Sequence, residues 1–213
     1  MDILHQDKRI LVCLKPSGVL STDEEGGLPD LIRAHLGDPK ACVRTVHRLD
    51  RVVGGVMVLA RSARAASELS AQMREGGFSK TYLAVVHGVP QIPCGTFTDL
   101  LLRDKARRMT FVTQTPQKDA QKAILDYETL ASHHGLSLVR ITLRTGRTHQ
   151  IRVQFSSRGL PLVGDKKYGH PEDDCTIALW SNSIAFRHPE SGEPLSFTAP
   201  PPAVWPWTDF SSL

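Results

Sequence analysis

Apolar residues are distributed along the chain in short bursts separated by turn-forming residues. Arg9 to Leu14 (RILVCL) is a compact aliphatic run closed by Lys15-Pro16-Ser17-Gly18, which predicts a strand followed by a loop. Leu28, Leu31, Ile32 and Leu36 recur at helical spacing and stop at Gly37, so a short helix is expected over Leu28 to Leu36. Val52 to Ala60 (VVGGVMVLA) is almost continuously apolar, the signature of a strand buried on both faces, and Asp50 stands at its mouth. Ser62 is a cap for a helix whose apolar positions Ala63, Ala66, Leu69 and Met73 advance by three and four residues up to Gly76-Gly77. Further strands are predicted at Thr81 to Val86, Met109 to Thr113, Ala123 to Leu130 and Leu136 to Leu143. After Gly146, Thr148 is the expected cap of a short helix through Phe155, and two closing strands fall near Ile177 to Phe186 and Leu195 to Phe197. The pattern is that of a strand-rich α+β fold.

Length and composition narrow this. The 213 residues are 40% hydrophobic, enough for one well-buried core or at most two small ones, and with no repeat or linker a single compact domain over residues 1–213 is expected. The first nine residues are polar and charged, and no apolar run approaches the roughly 18 residues of a membrane span. A cytoplasmic location without membrane association follows as the expectation. Cys13, Cys42, Cys94 and Cys175 lie far apart with no CxxC pair, so neither a zinc site nor a disulfide framework is signalled; they read as small core residues in a reducing compartment. The formal net charge of +4 suggests a polyanionic partner. Arg140, Arg144, Arg147, Arg152 and Arg158 fall within one stretch that holds no acidic residue, a run expected to be solvated or to face phosphate.

Four constellations carry chemistry. His47-Arg48-Leu49-Asp50-Arg51 sets a carboxylate between two arginines at a strand entrance. Lys80-Thr81-Tyr82 places a tyrosine in a strand, a position more often used for packing. Thr145 to Arg152 (TGRTHQIR) is a turn running into a helix start with two arginines, a histidine and an amide, groups suited to carboxylate or phosphate. Gly164 to Gly169 (GDKKYG) is a glycine-bounded basic loop. Each has an ordinary structural reading: a loop ion pair, a core phenol, a solvated helix start, a surface turn.

Taken in order, KPSG (Lys15 to Gly18), HRLDR (His47 to Arg51), KTYLAVVHG (Lys80 to Gly88), RTGRTHQIRVQF (Arg144 to Phe155) and GDKKYG resemble the successive signatures of the RluA family of RNA pseudouridine synthases, over nearly the whole chain. The resemblance is to a catalytic domain without the N-terminal RNA-binding domain of many relatives. It implies the pseudouridine synthase fold, a mostly antiparallel mixed β-sheet with a central active-site cleft flanked by helices and loops. One stretch departs from the pattern: where the family continues HRLD with two residues and then Thr-Ser-Gly, this chain has Val53-Gly54-Gly55 and lacks a hydroxyl pair.

The resemblance implies isomerisation of uridine in ribosomal or transfer RNA, with neither cofactor nor metal. Asp50 matches the nucleophilic carboxylate and Arg152 the arginine that keeps it ionised; at about 4 Å and an effective dielectric of about 20 such a pair attracts by roughly 4 kcal/mol before desolvation. Tyr82 matches the tyrosine that packs on uracil, and stacking of this kind contributes roughly 1–3 kcal/mol. Arg48 matches the arginine that fills the space left by the flipped base. Arg51, Arg147, His149, Gln150, Lys166 and Lys167 are expected to contact RNA backbone or support the pocket. A structured stem-loop is the expected partner and a monomer the simplest assembly. Two other readings compete: a non-catalytic RNA-binding or ribosome-assembly protein on the same scaffold, suggested by the Gly54-Gly55 departure, and a glycosidase, which needs two carboxylates where these motifs place one among arginines.

Overall fold

A computed structural model describes residues 2–210. In chain order the elements are β1 (Ile3–Gln6), β2 (Ile10–Lys15), α1 (Leu28–Leu36), β3 (Arg44–Thr45), β4 (Gly54–Ala60), α2 (Ala63–Glu75), β5 (Ser79–His87), β6 (Cys94–Asp104), β7 (Met109–Thr113), β8 (Gln121–His133), β9 (Leu136–Leu143), α3 (Gln150–Ser156), β10 (Leu179–Arg187) and β11 (Pro194–Thr198), closed by a 3₁₀ turn at Trp207–Phe210. Pairing is mixed and mostly antiparallel, as the α+β expectation requires. The chain forms two compact units, Met1–Thr81 with Trp180–Pro201, and Tyr82–Leu179 with Pro202–Leu213.

In the first unit β4 is the central strand. It pairs antiparallel with β2 and parallel with β10, and all seven of its residues are buried. That explains its continuous apolar sequence: with neighbours on both edges and side chains packed on both faces, no position is left for a polar residue. Ile10 and Val12 of β2, Val56 and Val58 of β4, Ala65 and Leu69 of α2, and Ile184 and Phe186 of β10 form one core. The Ser62 hydroxyl accepts from the Ala65 N–H, and Gly76 ends α2 in the left-handed region at φ 81°. α1 spans the predicted residues, with Gly37 closing it at φ 64°.

The second unit is built on the antiparallel ladder β9-β8-β6-β7, with β5 beside β9. Phe97, Tyr127 and Phe155 form an aromatic cluster with ring centroids 4.5 to 5.9 Å apart, which seats α3 on the ladder.

Four sequence expectations change. The N-terminal residues form a strand, β1, held edge-on to β2. β6, an 11-residue strand, escapes the pattern because Gly95, Asp99 and Arg103 interrupt its apolar positions, yet Phe97 and Leu101 are buried on one face. The cap of α3 is His149, not Thr148: His149 takes φ 56° and makes no side-chain cap bond. Of the cysteines only Cys13 is buried; Cys42 and Cys94 are exposed and Cys175 is intermediate.

Candidate active site

Asp50 lies in the short turn between β3 and β4, half-buried, with exposed Arg48 and Arg51 on either side. The Val53 N–H closes this turn onto the Asp50 carbonyl at 3.0 Å. What fixes the turn is the KPSG loop. Gly18 donates its N–H to the Arg51 carbonyl (2.8 Å), the Arg51 Nε returns a bond to the Gly18 carbonyl (2.9 Å), and the Ser17 hydroxyl reaches the Val52 carbonyl (2.7 Å). On the other side of Asp50, Ser21 Oγ donates to the Leu49 carbonyl (2.9 Å) and accepts the Leu49 N–H (3.2 Å). The carboxylate is therefore carried by a backbone anchored immediately before and after it.

Lys15 organises this clamp. Its side chain is fully buried, and Nζ donates to the carbonyls of Pro16 (2.8 Å), Val19 (2.7 Å) and Arg51 (3.3 Å). Burial pulls the ammonium down to about 8, opposed by the charge of Asp50. The motif's lysine thus works inside the protein. In the sequence KPSG reads as a loop; the cue to its role is a lysine terminating an otherwise apolar buried strand. His47, the first residue of HRLD, is also internal. Its Nε2 accepts the Val58 N–H at 3.2 Å, and burial pushes the ring down to about 3, so it is neutral.

In the second unit Tyr82 stands on β5 and is 6% exposed. Arg152 lies on α3, 6% exposed, and meets Asp165 through both Nε (2.8 Å) and Nη2 (2.7 Å), a bidentate fork on a fully buried carboxylate. Asp165 Oδ1 also accepts the backbone N–H groups of Lys167 (3.0 Å) and Tyr168 (3.2 Å). The Arg152 guanidinium lies 5.1 Å from the centroid of the Tyr168 ring. The Tyr168 hydroxyl accepts from the Thr110 N–H (2.8 Å) and bonds His149 Nδ1 (2.6 Å); burial raises this phenol above its ordinary range. The GDKKYG loop accordingly contributes its acid and its phenol inward, the two residues that sequence reasoning passed over.

The remaining predicted residues divide by what holds them. Gln150 is 3% exposed; its amide oxygen accepts from Thr145 Oγ1 (2.8 Å) and the Arg147 N–H (3.0 Å), and its Nε2 donates to the Ile124 carbonyl (3.1 Å), so it ties down the turn before α3. Arg147 is exposed with Nε on the Lys122 carbonyl (3.0 Å). Lys166 and Lys167 are exposed, with Nζ of the first on the carbonyls of Pro171 and Asp173 and Nζ of the second on that of Arg108.

The arginine run is exposed to solvent at Arg140, Arg144, Arg147 and Arg158 and buried at Arg152, and most of its members also meet an acid. Arg140 pairs with Glu128 (2.9 Å), Arg144 with Asp126 (2.6 Å), Arg152 with Asp165 and Arg158 with Asp99 (3.0 Å). The partners lie outside the run: Glu128 faces Arg140 across the β8–β9 pairing, Asp126 and Asp99 stand on β8 and β6, and Asp165 stands in the GDKKYG loop.

The profile of the RNA pseudouridylate synthase family matches residues 9–157. An uncharacterized RNA pseudouridine synthase, YlyB of Bacillus subtilis, is 33% identical over 95% of this chain and 69% of its own length. The dual-specificity RNA pseudouridine synthase RluA of Yersinia pestis is 33% identical over 92% of this chain and 97% of its own length. Among solved structures, human RNA pseudouridylate synthase domain containing 1 superposes with a TM-score of 0.80 at 23% identity, covering 95% of this chain and 84% of that one, a likeness of fold. With the family profile covering both the HRLDR turn and α3, and relatives aligned over nearly the full length, the chain belongs to the RNA pseudouridylate synthase family.

Proposed function

We propose that this chain converts particular uridines of a structured ribosomal or transfer RNA to pseudouridine, with Asp50 as the nucleophile. In that reaction the bond from uracil N1 to ribose C1′ breaks, the base turns, a bond from C5 to C1′ forms, the C5 proton leaves and N1 takes up a proton, and the bond that the Asp50 carboxylate makes on the way is broken again before product leaves. Atoms and electrons balance without a redox partner. The observation that carries the reading is the anchored turn at the mouth of β4, where a half-buried carboxylate is presented by a backbone held on both sides. A nucleophile so held loses little orientational entropy at the moment of attack.

Tyr82 serves as the surface on which uracil stacks and as acceptor of the C5 proton. Arg152, fixed by Asp165, is the arginine that the family pattern assigns to the nucleophile. Arg48, exposed beside Asp50, fills the stack when the uridine is flipped out. Arg51, Arg147, His149, Lys166 and Lys167 hold RNA backbone or support the pocket, and Gln150 supports it from within. In this reading residues 1–213 act as one catalytic domain, monomeric, in the cytoplasm, on a compact stem-loop. Two relatives point to such RNAs by name: ribosomal large subunit pseudouridine synthase C of Buchnera aphidicola, 32% identical over 93% of this chain and 67% of its own length, and the dual-specificity enzyme of Yersinia pestis. Among the described residues no helix is long and apolar enough to cross a membrane.

The test is to incubate the purified chain with ribosomal and transfer RNA lacking modifications and to map pseudouridine at nucleotide resolution. New pseudouridine at one or a few defined positions is the expected result. Tight RNA binding with no pseudouridine at any position would favour the non-catalytic reading instead.

A further inference from the structure

The Val53-Gly54-Gly55 departure leaves the exit of the nucleophile turn without the hydroxyl pair that the family pattern places there. Glycine by itself would loosen this exit, because it is the residue with most backbone freedom to lose. The structure supplies a substitute. Trp180 lies directly opposite Gly54 in the parallel pairing of β4 with β10, and a Cβ built on Gly54 would stand 2.6 Å from its Cζ3 and 3.2 Å from its Cε3. On the other flank the same Cβ would be 3.2 Å from the Lys15 carbonyl. Gly54 is thus a slot between an indole ring and the strand end whose Lys15 ammonium holds Arg51.

The ring is not free to step aside. Its Nε1 donates to the Ala199 carbonyl at 3.0 Å, and that carbonyl also accepts Asn182 Nδ2 at 2.9 Å, while the Ala199 N–H donates to the Asn182 carbonyl at 2.9 Å. One residue further on, Gly55 takes φ 122°, and its Cβ would stand 2.3 Å from the Ser181 carbonyl oxygen. The buried Ser181 hydroxyl donates to the Val56 carbonyl at 2.9 Å. Gly54 and Gly55 are therefore required by two different neighbours on β10, a ring and a backbone.

We infer that Trp180 is a positioning residue for the reaction: its indole, packed on Gly54, fixes the exit of the Asp50 turn in place of the missing hydroxyls. Local hydroxyl bonds hold a turn through directional contacts, whereas a ring pressed on a bare Cα holds it through many small dispersion contacts. The two solutions exclude each other. A serine at position 54 needs the space the ring occupies, and a smaller residue at position 180 leaves Gly54 unsupported. The kinetic part of this inference rests on the proposed function; the packing part does not.

The test is the four-cornered cycle of Gly54→Ser and Trp180→Ala in the full chain, with Trp180→Leu as a second variant at position 180 should the alanine chain fail to fold. Three readouts are taken: the thermal midpoint, RNA affinity, and the single-turnover rate constant at saturating enzyme well below that midpoint. The rate constant reports the folded molecules alone, so lost stability does not move it. With the ring present, Gly54→Ser should lower the midpoint by about 5 °C and the rate constant about tenfold. Trp180→Ala should also lower the rate constant about tenfold with RNA affinity within about threefold. With the ring removed, the same serine should raise both the midpoint and the rate constant. Unchanged behaviour of Gly54→Ser beside Trp180, or a wild-type rate constant in the variants at position 180, would overturn the inference. Lack of turnover by the wild-type chain on any RNA would instead count against the proposed function, and the coupling between 54 and 180 would still be read from the midpoints.

Discussion

His47 stands three residues before Asp50, buried and neutral, and its proton balance makes a measurable statement about stability. In the unfolded chain its ring titrates near the ordinary histidine value, about 6.5, whereas burial with nearby Lys80 pushes the folded value down to about 3. Below pH 6.5 the unfolded chain takes up a proton that the folded chain refuses. The stability tied to this group is complete above about pH 6.5 and is lost as pH falls toward 3, at up to about 1.4 kcal/mol per pH unit. Replacing His47 by Gln removes that proton. The slope of unfolding free energy against pH between 6 and 4, from denaturant titrations, should then be shallower than in the wild type by about one proton, and equal slopes would show that His47 is not the buried neutral group described. At the same scale, Tyr82→Phe keeps the ring and removes the hydroxyl. RNA affinity should hold within about threefold while the rate of isomerisation falls by about 100-fold, the size of a lost general base. Residue types at the HRLDR turn and α3 were legible in the sequence. The inward roles of Lys15, Asp165 and Tyr168 were not, because burial of a polar side chain depends on partners that only the fold assembles.

At the scale of elements, the strands and helices with clean periodicity were readable: α1, α2, β4 and β7 to β9 lie where the apolar spacing put them. The start of α3 was not, since Gln150 rather than a capping hydroxyl organises the turn, and His149 takes a left-handed backbone that sequence rules do not favour. The partners of the acid-free arginine run were hidden for a related reason. Its acids come from β6, β8 and the GDKKYG loop, so four of its five members pair with acids that lie outside the run. The buried Arg152 to Asp165 fork is the element-scale bond that matters most, joining α3 to that loop. Asp165→Asn takes the charge from the buried carboxylate that Arg152 meets through two N–H groups, which should cost about 3 kcal/mol in unfolding free energy by denaturant titration. A loss under about 1 kcal/mol would mean the pair is solvated or replaceable.

For the whole molecule, the motif order along the chain proved more informative than the net charge of +4. Arg48, Arg51, Arg147, Lys166 and Lys167 are exposed, and in the proposed reading they carry the positive charge that RNA meets. Family membership rests on the match across residues 9–157, while the assignment of the nucleophile rests on the anchored turn. The measurement that tests that assignment most directly is release of tritium from RNA carrying tritium at uridine C5, followed under single turnover for the wild type and for Asp50→Asn. The wild type should release the label in step with product while Asp50→Asn releases none and binds the same RNA within about threefold. Tritium release by Asp50→Asn at a rate comparable to the wild type would contradict the account.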